Sequence, residues 1–170
     1  YQKVYEKNKR SVNNLYNLVD VYQQLESYKT VDSLLVQARK LMPSNRQLFI
    51  EQGYNKSLQG QDSLALKLYD KAIVVLDSLP QLTYQIASRF EQRNLLDQAV
   101  LAYEKGQQII PNPNFSIRLA QLYGEQGEIE KMFNSYVDIV EENDQYLYRA
   151  QAVFSQYVTE NPDNTPNKML

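Results

Sequence analysis

The fold is decided by residues 80–113, PQLTYQIASRFEQRNLLDQAVLAYEKGQQIIPNP. Apolar side chains recur here at helical spacing on either side of a polar break: Ile86, Ala87 and Phe90 before it, then Leu95, Ala99, Ala102, Tyr103, Ile109 and Ile110 after it. Prolines stand at both edges. Each removes an N–H and disfavours helix in the residue before it, so Pro80 and Pro111 mark loops. The segment therefore reads as two amphipathic helices joined by a short turn.

Moving outward, the same pattern returns with a fixed period. Tyr1, Leu35, Tyr69 and Tyr103 are evenly spaced along the chain, and Val4, Ala38, Ala72 and Gly106 repeat that spacing. Leu18, Gln52 and Ile86 form a further series, with Val19, Gly53 and Ala87 beside it, and Pro43 and Pro111 are two periods apart. Several columns sharing one period make this a repeat protein. Loop signals at 43–45, 77–80 and 111–114 bound the units. Gly60 and Gly127 stand midway, each followed by a residue suited to start a second helix. The reading predicts antiparallel helix pairs over 12–42, 46–77, 80–110 and 114–142, with a one-residue slip after Gly106. Residues 1–11 read as the end of an earlier unit and 146–170 as the start of a later one, including a turn over 161–166. The expectation is a single array, 1–170, cut from a longer one: partial repeat 1–11, repeats 12–45, 46–79, 80–112 and 113–145, and partial repeat 146–170.

Composition excludes several functions. The chain has 170 residues, 18 basic and 20 acidic, so its net charge is -2. That balance offers no concentrated Lys/Arg surface for nucleic acid. With no histidine and no cysteine, imidazole triads, thiol nucleophiles, zinc sites and disulfides are all ruled out. The longest apolar run, 72–76, falls far short of a membrane span of about 20 residues. Neither a phosphate-binding glycine loop nor a two-carboxylate cleft is legible, and the acidic run Asp138, Glu141, Glu142, Asp144 reads as a solvated helix end. The expectation is a chain that is not an enzyme, with no cofactor, no metal and no membrane insertion. It would be soluble in a cytoplasmic or periplasmic compartment.

The spacing and residue types resemble the tetratricopeptide repeat, a helix-turn-helix unit whose period this chain shares. The match covers essentially the whole chain and is best over 80–113, through Ile86, Ala87, Phe90, Ala99, Tyr103, Gly106 and Pro111. Unit 46–79 carries Gly53, Gly60, Ala65, Tyr69 and Ala72 at the corresponding places. Gln52 and Lys56 depart from the pattern with polar residues, and Val31 and Met132 replace a usual alanine. Looser packing is expected at those points.

The resemblance implies an all-α, right-handed superhelical solenoid of antiparallel helix hairpins, with the first helix of each pair lining a concave groove that holds a peptide or helix of another protein. By the repeat register the groove residues are Asn13, Tyr16, Asp20 and Gln23; Gln47, Ile50, Tyr54 and Ser57; Gln81, Tyr84, Ser88 and Glu91; and Ile117, Gln121 and Glu125. This set is rich in amides and aromatics and holds no lysine or arginine, so the basic clamp with which one branch of the family grips a C-terminal carboxylate is missing. Tyr1, Tyr22, Tyr69, Tyr103, Tyr123 and Tyr136 are assigned to packing. Two other readings remain open: a docking arm of a larger enzyme or sensor, and a structural array that associates with itself through its terminal helices.

Overall fold

A computed structural model describes residues 1–157, and all regular structure within them is helical. The chain falls into two compact units that divide between Ser78 and Leu79, next to the repeat boundary expected after residue 79. In the first unit the helices are α1 (Gln2–Lys7), α2 (Val12–Gln24), α3 (Tyr28–Leu41), α4 (Leu48–Ser57) and α5 (Asp62–Val74). The second holds α6 (Thr83–Gln92), α7 (Leu96–Ile109), α8 (Pro113–Glu125), α9 (Ile129–Glu142) and α10 (Leu147–Phe154). Each helix pair foreseen in the sequence is present; the turn at 161–166 lies outside the described residues.

Four turns join the paired helices, and they are copies of one another. A left-handed residue ends each first helix: Glu26 (φ 54°), Gly60 (φ 70°), Asn94 (φ 55°) and Gly127 (φ 78°). The next residue's N–H then reaches back to a carbonyl five positions earlier, from Ser27 to Tyr22 (2.8 Å), Gln61 to Lys56 (2.9 Å), Leu95 to Phe90 (2.9 Å) and Glu128 to Tyr123 (2.8 Å). This closure satisfies carbonyls that a helix end otherwise leaves without partners. From Glu26 to Gly60 and from Gly60 to Asn94 the step is one full period. From Asn94 to Gly127 it is shorter by one, which places the slip between those two turns. With so few residues to reverse the chain, helices that pack on their neighbours must run antiparallel.

The core of each unit comes from the columns that carry the period. Leu35, Tyr69, Tyr103 and Tyr136 are buried, as are Val19, Gly53, Ala87 and Ala120. The small residues have a steric cause: a Cβ on Gly53 would run into the Tyr69 ring, and one on Gly106 into the Thr83 side chain. Each helix packs on the helices before and after it within its unit: α1 to α5 in the first, α6 to α10 in the second. Burial of each large side chain contributes about 1.5–3 kcal/mol, spread over neighbours rather than within one helix.

The structure corrects three expectations. Tyr1 is not a packing residue: it is 70% exposed, as is Val4 at 53%, and Tyr5 is the buried residue of α1. The short α1 packs on α2 with a register of its own, so the column ending at Tyr1 does not extend into it. Gln52 and Lys56 are not loose points either. Gln52 accepts a hydrogen bond from Arg39 (3.0 Å), and Lys56 pairs with Asp32 (2.7 Å). Val31 and Met132 take the alanine places and are buried, Met132 against the open side of Gly124.

Candidate functional site

The first helices of each unit are tied directly to one another. In the first unit the Tyr16 hydroxyl of α2 donates to Gln47 Oε1, ahead of α4 (3.3 Å), and Gln23 Nε2 donates to Asn55 Oδ1 of α4 (3.4 Å). Asn55 is wholly buried, and its amide nitrogen donates to the Tyr28 carbonyl (3.0 Å) and to Asp32 (2.9 Å). Asp32 also receives Lys56 and Gln59. A buried amide thus links α2, the start of α3, and α4.

In the second unit the link is ionic. Arg118 of α8 donates through Nε to Glu91 of α6 (2.9 Å) and pairs with the same oxygen through Nη2, while its Nη1 donates to Gln121 Oε1 (3.0 Å). Ser88 lies within 3.5 Å of the Tyr103 hydroxyl. Burial raises the Tyr103 pKa; Ser88 and the Arg118 charge oppose that shift, and Glu91 adds to it. The Tyr69 hydroxyl of α5 is likewise raised by burial, with Ser57 partly offsetting the effect. Both phenols are therefore neutral hydrogen-bonding groups at physiological pH.

Of the fifteen groove residues expected from the sequence, the structure brings together Tyr16 with Gln47, and Glu91 and Gln121 around Arg118, while Ser88 lies against the Tyr103 hydroxyl. Tyr84 is 62% exposed one turn before Ser88, and Asn13, Gln81 and Glu125 are exposed. Asp20, Tyr54 and Ser57 are partly buried. Three expectations need correction. Ile50 is fully buried, Ile117 is 7% exposed and Gln23 is 8% exposed, so these side chains serve the interior. The rotation that carries Tyr54 or Gln121 outward turns Ile50 and Ile117 into the core, because residues four apart on a helix share a face only approximately.

The absence of basic charge is corrected as well. Arg118 was missed, although it precedes Gln121 by three residues and so lies beside it on the same helix face. Its contact neutralises Glu91, a carboxylate that the sequence left free. Among the described residues no three side chains of metal-binding type converge, and no helix is long and apolar enough to cross a membrane. No protein-family model matches the chain, and no curated protein is similar to it.

Proposed function

We propose that the chain is a non-catalytic scaffold of the tetratricopeptide type that binds an extended peptide or helix of a partner protein along the first-helix faces. One observation carries this reading. Four hairpin turns of identical hydrogen-bond pattern recur at the repeat period, and within each unit a first helix is bonded to the next first helix. Such stacking presents successive first helices side by side, the geometry that repeat proteins use to hold elongated ligands. In the second unit the face offers an exposed aromatic ring at Tyr84, a hydroxyl at Ser88, and amide and guanidinium groups at Gln121 and Arg118. These suit a peptide held by ring stacking and by hydrogen bonds to its backbone.

Selection of binders from a random peptide library on the whole chain tests the reading. Tyr84→Ala should weaken a peptide bound on the second unit's first helices at least tenfold, and Tyr54→Ala one bound on the first unit's, while the far-ultraviolet dichroism stays helical. Binders indifferent to both variants would remove the first-helix faces from consideration. A second reading, end-to-end association, is favoured by exposed Tyr1 ahead of α1 and Val4 on it, and by Tyr148, 83% exposed, on α10. Light scattering over a concentration series decides it: mass growth beyond one chain supports the reading, and a constant monomer mass refutes it.

A further inference from the structure

A cleft of about 240 Å³ lies among α7, α8 and α9, apart from the first-helix residues named above. Leu119 and Ile139 line it together with the ring of Tyr123, whose hydroxyl is fixed by donation to Glu104 (2.7 Å). Ser135, Asp138 and Glu142 line it from α9, at spacings of three and four that align them along one helix face. Both carboxylates are exposed.

Two observations mark this face as one that a cationic group would stabilise. First, among the described residues Asp138 and Glu142 form no ion pair, whereas Glu6, Asp32, Glu91 and Glu128 each hold a lysine or arginine. The chain from 132 to 148 contains four acidic side chains and no basic one. The nearest cation earlier on α9, Lys131, is taken by Glu128 (3.6 Å) and sits over the Tyr123 ring (5.7 Å). It precedes Asp138 by seven positions, about 10 Å along the helix, a separation at which salt screens most of the attraction. Second, the carboxylates crowd the C-terminal end of α9, whose last turn carries no basic residue. The negative end of the helix dipole disfavours anions there by about 0.3–1 kcal/mol each.

We propose that this cleft is a receptor for a lysine or arginine side chain presented by a partner protein, with the aliphatic stem lying on Leu119, Ile139 and the Tyr123 ring and the cationic head between Asp138 and Glu142. The charge complementarity and the half-apolar lining match that one occupant: a long side chain that buries its stem while its charged end stays near water. This site stands independently of the first-helix binding face.

The probe is acetyl-arginine methylamide, with the uncharged isostere acetyl-citrulline methylamide as control, titrated into the whole chain and followed by amide chemical shifts. The expected result is saturable shifts at Leu119, Ser135, Asp138, Ile139 and Glu142, at least tenfold weaker with citrulline and with the variant Asp138→Asn/Glu142→Gln. That variant should unfold at the same or a slightly higher temperature, which separates lost binding from lost folding. Equal response to the two probes, or shifts spread over all surface carboxylates without saturation, would overturn the assignment.

Discussion

Gln23 and Glu91 stand two repeats apart, at the same place near the end of a first helix. Each reaches the next first helix of its own unit, but with different chemistry. Gln23 meets the buried amide of Asn55, and Glu91 meets the guanidinium of Arg118. The turns and the small-residue columns are held constant in both units, while the polar tie between layers changes. Packing geometry is set by backbone closure and close approach, which tolerate little variation. The tie needs only complementary groups, so it is free to become a buried amide pair, Gln23 with Asn55, in one unit and a partly exposed ion pair in the other.

The comparison can be broken most severely at the buried columns. Tyr103→Ala removes a fully buried ring that packs on Phe115 (5.7 Å between centroids) and should cost about 3–5 kcal/mol in denaturant unfolding. Tyr1→Ala, at the place the sequence aligns with it, should cost less than about 0.5 kcal/mol. Equal costs would restore the register that the structure corrects at α1.

The two ties should separate next. Asn55→Ala strands the Tyr28 carbonyl and the Gln23 amide inside the first unit, a loss of about 2–3 kcal/mol. Arg118→Ala leaves Glu91 unpaired, but Arg118 is 37% exposed, so screening limits the loss to about 1–2 kcal/mol, and added salt should shrink it further. A salt-sensitive Asn55→Ala or a salt-insensitive Arg118→Ala would reverse the assignment of the two chemistries. A smaller effect is expected at the turns: Glu26→Gly should stabilise by about 0.5 kcal/mol, since glycine relieves a left-handed backbone but loosens the unfolded chain.

The slightest effect is alkaline. Tyr103 is raised chiefly by burial, and so is Tyr123, where the Glu104 carboxylate adds to the shift. Above the ordinary tyrosine pKa the unfolded chain releases protons that the folded chain keeps, so unfolding free energy should be flat to about pH 10 and fall beyond it. Tyr123→Phe should make that decline shallower.

Much of this was legible in the sequence because the signals were local or periodic. The helix pairs follow from apolar spacing and the loops from proline. Two of the four turns announce themselves as Gly60 and Gly127. The other two do not, because Glu26 and Asn94 adopt the same left-handed geometry without glycine. Site residues were less legible. A repeat register places a residue on a helix but fixes its rotation only coarsely, which is why Ile50 and Ile117 turn inward. Partnership across helices, such as Lys56 with Asp32 or Arg118 with Glu91, is written in no single segment. A polar residue at an apolar place could therefore be seen as a departure but not paired.

The most direct test of the account is amide chemical-shift mapping of a peptide selected on the intact chain. The account predicts that the largest shifts fall on first helices, at Tyr54 and Ser57 or at Tyr84, Ser88 and Gln121 according to the unit that the peptide occupies. Shifts confined instead to second-helix residues such as Val36, Leu66 and Leu101 would contradict it.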